Sequence, residues 1–179
     1  MLYKGSNTYR MNSCETIEMF YNIRIDLDKL NYASYITKII LDVTEENQNS
    51  YKILQLFLNT LYTISETEKN IELVISVFKI RLICILGYTP NINQCVGCGR
   101  KDELIYFSFK DNGFKCGVCA KQDTGVFQMS TVTMDAIKYI ILAPAKKIFS
   151  FNIPEYAIKE LEIISRIYFN DKLEKDYKM

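Results

Sequence analysis

The segment from residue 95 to residue 119 has the sequence CVGCGRKDELIYFSFKDNGFKCGVC. It contains two Cys-x-x-Cys motifs, Cys95/Cys98 and Cys116/Cys119, separated by 17 residues. This spacing is typical of a zinc site, because each motif can place two thiolates on one side of a tight turn. The chain has no histidine that could replace a sulfur, so the sequence predicts one Zn²⁺ held by four cysteines.

Two disulfides, or four free buried thiols, are the alternatives to zinc. Disulfides need an oxidising compartment, and residues 1–7 lack the apolar stretch of a secretory signal. Zinc is therefore favoured, and because four thiolates leave no open position, the metal is predicted to be structural. Cys14 and Cys84 stand apart from the motifs and are predicted to be small core residues.

The residues between the two cysteine motifs predict a β-hairpin. Residues 105–109 are rich in β-forming side chains, and Asp111-Asn112-Gly113 is a turn signal. A hairpin in this place would bring the two motifs together, as in a zinc ribbon.

Apolar residues recur at helical spacing on both sides of the ribbon. Upstream, three stripes within residues 31–87 predict three helices, the last ending at Gly87 before Pro90. Downstream, one stripe stops at Pro144 and another helix is predicted to start at Pro154.

The predicted fold is mainly α, a small helical bundle with an inserted four-cysteine zinc ribbon and a remnant N-terminal β-hairpin. The charged tail from residue 170 to residue 179 is predicted to be frayed. The predicted divisions are the hairpin at residues 1–13, the helical bundle at 14–91, the zinc ribbon at 92–122, and C-terminal helices that complete the helical domain at 123–179.

Composition excludes several classes of protein. The net charge of +1 over 179 residues is not that of a strongly basic nucleic-acid binder, so any basic patch must be local. No run of about 18 uncharged apolar residues is present, which predicts no membrane partner and a cytoplasmic protein. The lack of histidine, of a G-x-x-x-x-G-K-[ST] loop and of G-x-G-x-x-G predicts that the chain is not an enzyme.

Several motifs occur in an order that is specific in combination. Residues 78–90, FKIRLICILGYTP, run directly into Cys95, and residues 106–108 (YFS) and Gly113 lie between the two cysteine motifs. Residues 30–35, LNYASY, stand upstream. In this order the sequence closely resembles the bacterial RecO family over most of its length.

The resemblance implies an N-terminal OB-fold followed by a helical domain that carries the zinc module. It also implies a recombination mediator of DNA repair that works at the nucleoid. Such a mediator binds single- and double-stranded DNA, anneals strands, engages the single-strand-binding protein, and with RecR helps to load the RecA recombinase.

Residues 1–13 resemble only the last strands of the family's OB-fold, which would need about sixty further residues before Met1. The chain is therefore expected to be either a truncated or a naturally shortened relative. Because an OB-fold binds single strands through its groove and aromatic platform, DNA binding by this chain is expected to be weak.

Five basic residues are candidate nucleic-acid contacts: Arg81, Arg100, Lys101, Lys110 and Lys115. The last four lie among ribbon aromatics, a composition that suits a single strand. As an alternative, the ribbon cations offset the negative charge of a four-thiolate zinc site, and the aromatics form the ribbon core. For Arg81 the alternative is a buried ion pair.

Two other classes of protein carry four-cysteine zinc sites. A transcription-type zinc ribbon adaptor would explain the cysteines but not the helical block or its L-G-Y-x-P exit. An enzyme with a structural zinc would need a phosphate loop or a catalytic histidine, and the sequence has neither.

Overall fold

A computed structural model describes residues 2–5, 8–46 and 49–177 of the chain. The predicted class is confirmed, since most of the regular structure is helical. The helices are α1 (Tyr21–Arg24), α2 (Leu27–Val43), α3 (Tyr51–Glu66), α4 (Ile71–Ile85), α5 (Gly117–Ala120), α6 (Thr131–Leu142) and α7 (Glu155–Leu173), with a 3-10 turn at Ala145–Lys147. The strands are β1 (Leu2–Lys4), β2 (Tyr9–Met11), β3 (Tyr106–Ser108), β4 (Gly113–Lys115) and β5 (Val126–Gln128).

The centre of the bundle is α4, which packs against α3, α6 and α7. Every residue from 73 to 80 is buried, and Phe78 and Leu82 have no exposed surface. The apolar spacing predicted a helix with one buried face. The stretch from residue 73 to residue 80 is instead buried on all sides of the helix, because three other helices pack around it.

A glycine ends α4 and sets the direction in which the chain leaves the bundle. Gly87 has φ +99°, and its N–H donates to the carbonyl of Cys84 at 3.2 Å, while the Tyr88 N–H donates to Ile83 at 3.0 Å. These two bonds form a Schellman motif, which satisfies carbonyls at the helix end. The hydroxyl of Tyr168 in α7 donates to the Tyr88 carbonyl at 2.9 Å and holds the turn against the bundle. The predicted C-cap is confirmed.

A carboxylate of α7 fixes the start of α6. The Ser130 hydroxyl accepts a hydrogen bond from the Thr133 N–H at 3.2 Å and caps the helix. Glu160 Oε2 accepts bonds from the Ser130 N–H, the Ser130 hydroxyl and the Thr133 hydroxyl at 2.8, 2.8 and 2.6 Å. Burial raises the pKa of Glu160, but these hydrogen bonds outweigh burial and hold the pKa below its ordinary value.

Glu160→Gln is expected to lower stability at pH 7 by about 1–3 kcal/mol, because an ionised acceptor of three hydrogen bonds is lost. The pKa is lower in the folded than in the unfolded chain. The wild-type contribution is therefore present above the unfolded pKa and is lost as the pH falls through the folded pKa. Urea unfolding of wild type and variant, monitored by circular dichroism, measures this loss. The free energy of unfolding is compared at neutral pH and at pH values on either side of about 4.

The matched control is Glu162→Gln, which removes an α7 carboxylate that pairs with Arg166 at the surface and is 37% exposed. An exposed pair of this kind contributes about 1 kcal/mol or less. Equal losses in the two variants, or an unchanged acid dependence in Glu160→Gln, would contradict the assigned role of Glu160.

The N-terminal hairpin is present and exposed. Strands β1 and β2 pair antiparallel, with Leu2 opposite Met11, and Tyr9 and Met11 are 61% and 65% exposed. The hairpin predicted for residues 1–13 is present, and its origin as the remnant of an OB-fold stays a prediction. Ser6 and Asn7 lie outside the described residues. No helix in the described ranges is long and apolar enough to cross a membrane.

The prediction of a frayed C-terminal tail is wrong for the residues up to 177. Tyr177 is 8% exposed, its ring packs edge-on against Phe169, and its carbonyl accepts a hydrogen bond from the Tyr35 hydroxyl at 3.2 Å. Lys175 Nζ lies 2.6 Å from Asp42 Oδ2 on α2. One aromatic side chain thus anchors a segment whose charge pattern suggested disorder.

Candidate metal centre

The ribbon is a three-stranded antiparallel sheet with β3 in the middle. Phe107 lies opposite Phe114 of β4 on one side and opposite Phe127 of β5 on the other. The predicted hairpin between the cysteine motifs is present as β3 and β4. The sequence did not predict β5, because its three residues lie beyond residue 122 and are too few to form a recognisable period.

The first cysteine motif is a tight loop that is tied to the sheet. The Cys95 N–H donates to the Arg100 carbonyl at 2.6 Å, and the Gly99 N–H donates to the Cys95 carbonyl at 2.9 Å. Gly99 has φ +76°, a conformation that glycine adopts without strain. The Val96 N–H donates to the carbonyl of Phe114 in β4 at 2.9 Å, which fixes the loop beside the second motif.

The second cysteine motif follows β4 directly. Cys116 is the residue before α5, and Cys119 lies within this one-turn helix. The Ala120 N–H donates to the Cys116 carbonyl at 3.0 Å, and the Cys116 N–H donates to Cys95 Sγ at 3.4 Å. The short strand and the helical turn therefore aim both sulfurs at the first motif.

The four sulfurs form one cluster. Sγ atoms of Cys95, Cys98, Cys116 and Cys119 all lie within 4.8 Å of one another, and the Cys98 and Cys116 sulfurs are 3.7 Å apart. Sulfurs at the corners of a tetrahedron with bonds of about 2.3 Å to a central ion would be separated by about 3.8 Å. Cys95 and Cys116 are buried, Cys119 is half-buried and Cys98 is exposed. The cluster is therefore close enough to bind a metal ion.

The pKa values of Cys95 and Cys119 are shifted in opposite directions. Burial raises the pKa of Cys95, but N–H groups of Cys116, Cys98 and Gly97 reverse the effect and lower it to about 6. The hydrogen bond with Cys98 and the other nearby sulfurs raise the pKa of Cys119 to about 12. Four adjacent sulfurs repel one another as thiolates, and a divalent cation would remove that penalty.

Gly97→Ala is expected to weaken metal binding at least tenfold. A Cβ at this position would lie 2.9 Å from Cys119 Sγ, so the two cysteine motifs would have to separate. Competition with a chromogenic chelator measures the loss. Gly117→Ala in the second motif is the control, because its Cβ would meet only Tyr106 at 3.8 Å, an ordinary contact. Equal affinities for the two variants would contradict the packing described here.

The ribbon shares a core with the helices. Phe107 is 1% exposed, and its ring packs edge-on against Tyr168 of α7 at 5.2 Å and against Phe114 at 6.1 Å. Tyr106 and Phe109 are half-buried. Phe107 and Phe114 therefore belong to the ribbon core, which agrees with the alternative to DNA stacking for these two residues.

The structure places two of the predicted ribbon cations in ion pairs. Lys115 is buried and bonds to Asp111 and, at 2.6 Å, to Asp123. The Lys115 ammonium, together with hydrogen bonds that the Gly125 N–H and the Ser108 hydroxyl donate to the Asp123 carboxylate, holds the pKa of Asp123 well below its usual range. Arg100 pairs with two carboxylates: its Nε lies 3.8 Å from Asp102 Oδ1, and its Nη1 lies 3.9 Å from Glu103 Oε2.

Lys101 and Lys110 are exposed, and no ion pair involves either of them within the described part of the chain. The sequence did not predict Asp123 as the partner of Lys115. The two residues lie eight apart on either side of α5, with no periodic signal to connect them.

Within the described residues, Arg81 forms no ion pair, so the buried ion pair that the sequence suggested as its alternative to DNA contact is absent. Its Nη1 donates to the carbonyls of Ile140 and Ile141 at 2.9 and 2.5 Å. These carbonyls belong to the last turn of α6, where no intrahelical donor is available.

Among the lone cysteines, Cys84 is half-buried, but the prediction that Cys14 is a core residue is wrong because Cys14 is exposed.

Fold and site together define a helical domain into which a ribbon with a cluster of four cysteines is inserted. The family model "Recombination protein O C terminal" matches residues 24–179. The DNA repair protein RecO of Acetivibrio thermocellus is 40% identical over 178 residues, which cover 99% of this chain and 71% of that protein. The DNA repair protein RecO of Thermoanaerobacter sp. is 30% identical over 99% of the chain and 72% of its own length. The chain belongs to the RecO family of DNA repair proteins.

Proposed function

We propose that the chain is the helical and zinc-binding part of a recombination mediator in DNA repair. The observation that carries the proposal is the family match, which extends through the helical bundle and the ribbon alike. The chain would act by binding, at the nucleoid in the cytoplasm. Its partners would be single- and double-stranded DNA, RecR and the single-strand-binding protein, with loading of RecA as the result.

We propose further that the cysteine cluster holds one Zn²⁺. Four sulfur ligands in a tetrahedral arrangement suit zinc, and a site closed by four thiolates supports structure rather than catalysis. The metal would join the loop after α4 to the turn of α5 and so fix the ribbon. Metal analysis of the purified protein is expected to give one zinc per chain, and a stoichiometry near zero would overturn this assignment.

Catalysis is not part of the proposed role. Histidine is lacking, and the metal would have no open position for water. Turnover of a nucleotide or an ester that depends on zinc and disappears in Cys98→Ser would contradict this view.

The chain alone is expected to bind single-stranded DNA weakly and mostly through charge. Its net charge of +1 gives little long-range attraction, and the exposed ribbon cations Lys101 and Lys110 could neutralise few phosphates. Each neutralised phosphate contributes about −0.7 to the slope of log K against log salt. Fluorescence anisotropy of a labelled oligonucleotide over a salt series should therefore give a shallow slope.

Tight, sequence-tolerant binding at physiological salt would contradict that expectation. It would show that the helical and ribbon surfaces form a main DNA site. Purified RecR and single-strand-binding protein, added separately in a pull-down with the metal-loaded chain, test the proposed docking, and failure of both to bind would remove them as partners of this part.

A further inference from the structure

A half-open cleft of about 360 Å³ lies between α3, α4 and the 3-10 turn at Ala145–Lys147. Lys52, Gln55 and Arg81 line it, together with apolar side chains such as Leu56 and Ile148. Among the described residues, no carboxylate lines this cleft. The cleft therefore has two cations, one amide and an apolar floor, and it is separate from the cysteine cluster.

Arg81 is anchored in the cleft with part of its guanidinium unused. Nη1 donates to the two α6 carbonyls, and these bonds hold the group in a fixed orientation. A guanidinium has five N–H donors. Within the described residues, no hydrogen bond or ion pair uses the Nε and Nη2 donors, so three N–H groups remain. A guanidinium fixed in this way loses little entropy when it binds an anion.

Lys52 supplies a second cation. It lies in the first turn of α3 and is exposed, and no hydrogen bond or ion pair within the described ranges involves its ammonium. Gln55 follows three residues later on the same face of the helix. The ribbon differs, because Lys115 and Arg100 are already paired with carboxylates there.

We propose that this cleft binds a phosphate group, and that in the DNA-bound protein the group is a backbone phosphate of a single strand. The fork of Arg81 and the point charge of Lys52 suit phosphate oxygens. The volume is near the lower end of small-ligand sites and suits a nucleotide unit, whose sugar would lie on the apolar floor. This proposal rests on the proposed role in DNA repair, and it moves the main phosphate contact from the ribbon to the bundle.

The test compares Lys52→Gln with Lys159→Gln in the full, metal-loaded chain. Both remove one charge, but Lys159 lies on α7 and pairs with Glu155. Lys52→Gln is preferred to any change of Arg81, because loss of Arg81 would also leave α6 carbonyls unsatisfied. With a labelled single-stranded oligonucleotide, Lys52→Gln is expected to reduce the salt slope by about 0.7 and to weaken binding several-fold at low salt. Lys159→Gln should change neither quantity.

A second arm identifies the source of the phosphate. The Nε–H signal of Arg81 is followed by NMR during titration with the oligonucleotide and, separately, with inorganic phosphate. A saturable shift with the oligonucleotide alone supports a backbone site, and a saturable shift with both supports a general phosphate site.

Three results would overturn the proposal: no shift with either ligand, equal effects of Lys52→Gln and Lys159→Gln, or a shift produced by an acidic peptide but not by phosphate. If the oligonucleotide binds normally to Lys52→Gln, the cleft proposal fails while the DNA-binding role stands. If the wild-type chain binds no oligonucleotide even at low salt, the DNA-binding role fails, and the inorganic phosphate titration still decides the cleft.

Discussion

Cys116→Ser is expected to abolish stoichiometric zinc binding and to unfold the ribbon. Serine is a poor zinc ligand at neutral pH, and three thiolates would remain, one of them from the exposed Cys98. Zinc binding to small structural sites amounts to about 10–16 kcal/mol in isolated peptides, and it is coupled to their folding. The strands of the ribbon have three residues each and could not persist alone.

Two measurements on this variant separate the ribbon from the bundle. Limited proteolysis should find new cleavage sites between residues 92 and 128. Circular dichroism should change less, because most helical residues lie in α2, α3, α4, α6 and α7. Chelation of zinc from the wild-type chain should produce the same cleavage pattern.

Cys14→Ser is the matched control, since Cys14 is exposed and lies outside the cluster. It should keep one zinc per chain and the wild-type protease resistance. Unchanged resistance in Cys116→Ser, or loss of zinc in Cys14→Ser, would show that the cluster does not organise the ribbon.

Phe107→Ala is expected to destabilise the whole chain by about 3–5 kcal/mol. Phe107 is buried between Phe114 of the ribbon and Tyr168 of α7, so its removal leaves a cavity where ribbon and bundle meet. Urea unfolding of the metal-loaded variant should show one transition at a lower midpoint, because the two parts share this core as long as the metal keeps the ribbon folded.

Phe109→Ala is the comparison variant. Phe109 is half-buried, and its ring centroid lies 5.3 Å from that of Phe107. Phe109→Ala should therefore lower the free energy of unfolding by less than half as much as Phe107→Ala. A separate early transition of the ribbon, with the helical transition unchanged, would mean that the ribbon and the bundle unfold independently.

Much of the fold was predictable because its signals are local. Apolar spacing located α4, α6 and α7, and Gly87 and Pro154 located a helix end and a helix start. These signals act within about one turn of the chain and do not depend on distant residues. The short elements α1 and β5 were missed, since four and three residues are fewer than a helical or strand pattern needs.

The surroundings of charged residues were not predictable in the same way. Arg81 donates a hydrogen bond to Ile140, which lies 59 residues further along the chain, and Tyr35 donates one to Tyr177, which lies 142 residues further along. The sequence indicated Lys115 as a candidate DNA contact, but its side chain is buried and paired with two carboxylates. Each of these contacts exists only after the helices have packed, because the partner comes from another element.

The sequence by itself determined the four-cysteine cluster and the helical class. Two Cys-x-x-Cys motifs joined by a hairpin bring four sulfurs together through local geometry, and apolar periodicity sets the helices. Only the tertiary structure decided which cations are neutralised, that Phe107 joins the ribbon to α7, and that Lys52 and Arg81 line one cleft. The physical reason is that side-chain burial and ion pairing depend on distances through space between residues that are far apart in sequence. The local pattern of residues along the chain does not encode those distances.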